Sequence, residues 1–175
     1  MSDRKQRIHT ELAESRAYLL SVAQQIGPEQ AVASTENPAW NVHDLLAHLA
    51  GAERGLQATV RRFLAGESLS EGFSLDYWNQ RQVEKQKERN VADLLASLAA
   101  SRIDTLALLD SLSDEQLAVR GLHPAGFETS VGGIFRVMAM HELDHGQEIA
   151  LALGLPVEKR VQTPLKSASD IAETC

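Results

Sequence analysis

Cysteine is almost missing. The 175 residues contain one, Cys175, at the last position, so no disulfide framework can form within the chain. A reducing, cytoplasmic location is the matching expectation. Aromatic residues are sparse at 5%, while alanine and leucine abound, and such a core suits helices better than sheets. No run approaches 18 apolar residues, and the segment from Met1 to Glu14 is charged. Neither a membrane-spanning helix nor an apolar signal core is therefore expected. Positive charge is also short, with 17 Lys and Arg against 24 Asp and Glu and a net charge of −7. An acidic chain without a basic cluster excludes, as an expectation, nucleic acid and anionic membrane as partners.

Proline is confined to Pro28, Pro38, Pro124, Pro156 and Pro164. Each lies between or beyond apolar-periodic stretches, which outlines long unbroken helices. The spacing of Ile8, Leu12, Leu19, Val22 and Ile26 predicts a first helix from Asp3 to Ile26, stopped by Gly27-Pro28. Asn41 and Asp44 form a capping pair for a second, with Trp40 and Leu45 as a hydrophobic staple. Its stripe runs through Leu49, Ala52, Leu56, Val60 and Phe63 to Gly66. Ser74 caps a short helix expected to turn Tyr77 and Trp78 inward, followed by a polar run to Arg89. Asn90 caps a third long helix, with Leu95, Ala99, Ile103, Leu106 and Leu109 expected inside. Ser113 to Gln116 is a capping box for one short helix, Arg120 to Thr129 reads as a loop, and the fourth long helix runs from Ser130 to Leu153. No strand pattern is evident. The fold class is all-α, a four-helix bundle over 1–155 followed by a polar tail over 156–175.

The fourth helix holds Met140-His141-Glu142-Leu143-Asp144-His145-Gly146. His141 and His145 are four apart and project from one face, so they can grip one metal ion or be ordinary helix-surface histidines. His141 falls in the apolar stripe of Ile134, Val137, Met138, Ile149 and Ala152. A buried neutral imidazole needs partners for both nitrogens, and a metal with a second acceptor supplies them. His48 on the second helix is the natural third ligand. Gly51 and Gly55 follow it at a cost of about 1 kcal/mol each relative to alanine, either to leave room for a pocket or to let helices approach. The run from His141 to His145 also spells the zincin motif, in which Glu142 would be a general base. No histidine follows His145, Glu158 is the nearest later acid past the helix, and the sheet a zincin needs is not apparent, so a protease is not expected.

Two segments, Trp40-Asn41-Val42-His43-Asp44-Leu45-Leu46-Ala47-His48-Leu49 and His141-Glu142-Leu143-Asp144-His145-Gly146-Gln147-Glu148-Ile149, make the chain resemble the DinB/YfiT-like superfamily, which includes the N-terminal domains of mycothiol-dependent maleylpyruvate isomerases. The resemblance runs from Asp3 to Leu155. It implies a bundle with a long crossover, a divalent metal on His48, His141 and His145, and a homodimer. It also implies an enzyme that uses a low-molecular-weight thiol as a thiol-S-transferase, or an isomerase or hydrolase of small molecules. Relatives often carry Gln where this chain has Glu148, which is read as an acceptor behind a ligand, an extra ligand, a base, or a salt-bridging acid. The second domain of full-length maleylpyruvate isomerases is not expected here, which puts that specific reaction in doubt.

Among the neighbours, Asp44 either orients His48 or simply caps its helix. His43, His9 and His123 are expected at the surface, His123 alternatively at a pocket mouth. Trp78 and Tyr77 wall a pocket or cover the bundle end, and Glu142 and Asp144 are expected in solvent. Three neutral nitrogens leave coordination positions open, the arrangement of a catalytic rather than a structural site. Zn, Ni, Fe and Mn all suit such a set, with Zn or Ni favoured. The alternatives are a non-catalytic metal- or ligand-binding stress-response protein, and a metal-free bundle with hydrogen-bonded core histidines.

Overall fold

The computed structural model describes residues 2–157. The expected tail lies, beyond Val157, outside the described residues, as does Glu158. Seven helices and one small hairpin follow in the order α1 (Asp3–Ala23), α2 (Pro28–Ala31), α3 (Val42–Ala65), α4 (Leu75–Gln86), α5 (Val91–Ser111), α6 (Asp114–Ala118), β1 (Arg120–Leu122), β2 (Glu128–Ser130) and α7 (Val131–Ala152). The four long helices α1, α3, α5 and α7 form the bundle. α7 packs along α1 and α3, and α3 along α5. The stretch between α3 and α5 is the long crossover, and it carries α4 on the outside of α3.

Local chemistry sets the helix starts. The side chains of Ser2, Asn41, Ser74, Asn90, Ser113 and Ser130 each accept a main-chain N–H from the first turn that follows, relieving donors that the helix itself cannot satisfy. Asp44 returns a bond to the Asn41 N–H at 3.2 Å, closing the expected capping box. α3 ends at Gly66 in the left-handed region, with φ 67°, where glycine carries no penalty.

The elements and their faces depart from the sequence expectations in five places. α1 stops at Ala23, because Gln25 and Ile26 turn back onto Val22 and Ala23 ahead of Gly27. The polar run after Trp78 is helical, to Gln86. The loop before α7 contains an antiparallel hairpin, Arg120 to Leu122 against Glu128 to Ser130; strands of three residues are too short to show alternation. Tyr77 is 69% exposed rather than inward. On α5, Ala99 is exposed and Ile103 is 70% exposed, while Ser97, Ser101, Arg102 and Thr105 are buried. The inward face is rotated because polar partners inside the bundle claim those side chains.

Those partners form a layer across the middle of the bundle. Arg16 donates to Glu53 at 2.9 Å and to Glu142 at 2.6 Å. Arg102 donates to the same two carboxylates at 2.7 and 2.9 Å, and to the main-chain carbonyl of Leu12. Thr105 donates to Glu53, Ser15 to Glu142, and Gln57 to Ser101 and Thr105. Two cations and two anions thus close a neutral ring. Burial opposes the Arg102 charge, but attraction to Glu142 and Glu53 outweighs it and raises its pKa. On one side of the layer, Leu19, Val22, Leu45, Leu46, Leu94, Leu98 and Ile149 pack together. On the other, Leu12, Val60, Phe63, Leu109, Ile134 and Phe135 do.

Candidate metal centre

α3 presents His48 toward α7, and α7 presents His141 and His145 one turn apart. The three rings stand edge-on, with centroids 4.5 to 5.2 Å apart. Each can aim one nitrogen so that all three lie within 4.8 Å of one another. Nε2 of His48 is 3.1 Å from Nε2 of His141. Two nitrogens held about 2.1 Å from one ion would stand about 3.0 to 3.4 Å apart for angles from square to tetrahedral. Trp40 lies over His48 at 5.0 Å with the planes tilted 37°.

The protonation states suit a cation. Burial, and then the neighbouring His145, push His48 down to about 3. Burial, helped by His145, His48 and His123, puts His141 well below the usual histidine range. Neutral imidazoles keep a lone pair for a metal. His145 Nδ1 lies 2.9 Å from Glu148 Oε2. Burial would raise the Glu148 pKa, but the bond and charge of His145, with bonds from Thr35 and the Glu36 N–H, lower it instead. An ionised carboxylate only accepts, so Nδ1–H of His145 donates, and its Nε2 is the nitrogen that Glu148 does not engage. His48 Nδ1 is buried with no partner among the described residues, consistent with a ring positioned through its other nitrogen. The donor set, its spacing and the neutral rings of His48 and His141 fit a divalent ion. Of the readings open for Glu148, this contact is compatible with both an acceptor behind His145 and a salt-bridging acid.

A cavity of about 280 Å³ opens beside His48 and His141, walled by Leu56, Arg62, Phe73, Trp78, Asn79 and His123 among others. Both readings of the α3 glycines apply. A Cβ on Gly51 would sit 3.0 Å from Gln82, and one on Gly55 only 2.6 Å from the Trp78 indole. These glycines let α4 lie close, and Trp78 becomes part of the cavity wall.

The remaining candidates separate. Asp44 caps α3 and makes no bond to His48. His43 is half-buried, its Nε2 2.6 Å from the Arg89 carbonyl, and His9 pairs with Asp110 at 2.7 Å. Glu142, expected in solvent, is 3% exposed and held by Arg16, Arg102 and Ser15. It faces the polar layer and is not free to act as a zincin base. Asp144 is half-buried rather than in solvent. His123, expected at the surface, is 5% exposed. Its ring stacks on Phe127 at 4.4 Å, and its Nδ1 accepts the Ala125 N–H at 3.0 Å. Burial and the Arg62 charge push its pKa down to about 4. The only sequence signal for a fixed ring was the turn composition of Pro124-Ala125-Gly126 behind it.

Comparison with known proteins agrees with this architecture. A model of the DinB superfamily matches residues 11–149. YfiT from Bacillus subtilis, described as a probable metal-dependent hydrolase with an unusual four-helix bundle topology, superposes with a TM-score of 0.69 at 20% identity, over 89% of this chain and 91% of that one. Mycothiol-dependent maleylpyruvate isomerase gives 0.71 at 12% identity, over 85% of this chain but 63% of that longer one. The colibactin self-resistance protein ClbS, solved in complex with a dsDNA, gives 0.69 at 14% identity over 87% and 97%. No curated protein matches the chain at a significant level. At these identities the solved structures establish the fold.

Proposed function

This chain belongs to the DinB superfamily, and from that premise we propose that it is a divalent-metal-dependent enzyme acting on a small molecule, as a thiol-S-transferase, isomerase or hydrolase. The observation that supports this most is the convergence of His48, His141 and His145, three imidazoles with one nitrogen each within 4.8 Å, two of them lining a largely apolar cavity. Three protein ligands leave positions open for a reactant. A divalent ion there would act as a Lewis acid and lower the pKa of a coordinated water or thiol. Zn and Ni are the preferred ions for this set, with Fe and Mn also compatible.

The chain's own residues divide the work. His48, His141 and His145 hold the ion. Glu148 accepts the Nδ1 proton of His145 and fixes that ring. Leu56, Phe73 and Trp78 limit water in the cavity. Among the described residues on its wall there is no Ser, Cys or Lys, and the Thr59 hydroxyl donates to the Gly55 carbonyl. The nucleophile therefore comes from outside the protein, as water or a low-molecular-weight thiol. The neighbouring structures named for mycothiol dependence and for metal-dependent hydrolysis support that pair of choices.

A homodimer, a cytoplasmic location and the absence of a nucleic-acid partner belong to the same proposal. No described helix is long and apolar enough to cross a membrane. The net charge of −7 argues against DNA, whereas ClbS was solved with it. Anisotropy with a labelled duplex decides between them.

The central test is metal analysis of protein purified without a histidine tag, followed by thiol conjugation and ester hydrolysis assays with and without added Zn or Ni. One ion per site, lost in His141→Ala, and turnover abolished in His48→Ala are the expected results. Metal binding with no turnover in the wild type would leave a non-catalytic metal-binding protein instead, and turnover unaffected by His48→Ala would remove the metal site from the reaction.

A further inference from the structure

His123 carries a buried donor that the fold does not use. Its Nδ1 is an acceptor for the Ala125 N–H, so in the neutral ring the proton is on Nε2. That Nε2 is buried and has no acceptor among the described residues. A donor left in this state costs the fold its desolvation with no bond in return. The loop uses only the other side of the ring, where Nδ1 takes the Ala125 N–H. The hairpin end is closed by main-chain bonds between His123 and Phe127 and between Gly126 and His123, both 2.8 Å, and an apolar ring could stack on Phe127 as well. His123 also lines the cavity that contains His48 and His141.

The rest of the wall narrows the occupant. Arg62 is the one charged residue among the described lining residues, and no carboxylate is among them. Its guanidinium is tied to the Leu122 carbonyl at 2.7 Å, which anchors a positive charge next to the His123 loop. Leu56, Phe73, Val137 and the Trp78 indole make the remainder apolar.

We propose that the cavity takes a small apolar carboxylate whose oxygen accepts the Nε2–H of His123, with its hydrocarbon body against Trp78 and its charge balanced by Arg62. His123 is thus a substrate-positioning residue. This rests on the reading of the cavity as the substrate pocket of the metal centre, and it names the class of substrate.

Benzoate serves as the probe, with toluene as its uncharged counterpart, each titrated calorimetrically into full-length protein in metal-free and zinc-loaded forms. Wild type should bind benzoate in both forms. His123→Phe should weaken benzoate at least tenfold in both forms and leave toluene unchanged, showing that the cavity is intact. His123→Gln, which restores an N–H, should recover most of the loss and serves as the informative variant if His123→Phe fails to fold. In the wild type, the His123 Nε2–H proton resonance should move downfield as benzoate is added. The proposal is overturned if wild type does not bind benzoate, if zinc alone determines its affinity, or if both variants bind it like wild type. Failure of the metal reading is seen separately, as absence of bound zinc, and leaves the metal-free titration decisive.

Discussion

Glu148 Oε2 accepts the Nδ1–H of His145 at 2.9 Å, while its Oε1 accepts the main-chain N–H of Glu36 at 3.2 Å. The acid is therefore held from the α2–α3 connection and in turn holds the ring. Such partners behind a ligand commonly account for ten- to hundredfold in metal affinity. Glu148→Ala should weaken Zn binding by about that factor, measured by competition with a chromophoric chelator. Glu148→Gln, which keeps an acceptor oxygen, should lose less. Equal affinity in wild type and Glu148→Ala would remove this role.

Acid should destabilise the metal-free protein through its buried histidines. In the unfolded chain these groups take up protons near the ordinary value of 6.5, whereas in the fold His123 does so only at about 4 and His48 at about 3. The unfolded state binds more protons across that interval, so stability falls as pH drops from 6.5 toward 3 and is fully present above 6.5. Urea midpoints between pH 7.5 and 4 should show the decline. His123→Phe should flatten it, and an unchanged slope would contradict the assignment.

Glu142→Gln should cost about 3–5 kcal/mol, because it leaves the two buried arginines with one carboxylate. Chemical denaturation measures this directly. A stable Glu142→Gln protein with lost turnover would instead revive the zincin role for this residue.

Gly55→Ala should disturb the cavity wall. Helix propensity favours alanine by about 1 kcal/mol, but the added carbon would meet Trp78 at 2.6 Å, and overpacking costs about 1–3 kcal/mol. The expected net result is a small loss of Tm with a shift in tryptophan emission. Gly66→Ala, where no atom lies within 4 Å but φ is 67°, should destabilise without that shift.

The bundle was legible because its signals are local. Asn41, Ser74, Asn90, Ser113 and Ser130 cap helices through bonds only three residues long, and Pro and Gly mark the gaps. The fold class and the superfamily follow from those signals and from the two histidine motifs. What depended on distant partners was misread. Ser101, Arg102 and Thr105 look like a solvent face until Glu53, Gln57 and Glu142 are brought opposite them. His123 looks like a loop residue until Phe127 stacks on it. Even the hairpin at Arg120 gains its definition from Gly121, where any Cβ would strike Phe63 at 2.6 Å.

The ring of Arg16, Glu53, Arg102 and Glu142 draws one member from each long helix. Sliding any one helix by a turn, about 5.4 Å, would strand a charge in hydrocarbon. The ring therefore works as a vernier that aligns the four rods along their length. Glu142 is the residue next to His141, and Glu53 lies five beyond His48, so the same alignment sets how far apart the imidazoles of α3 and α7 can stand.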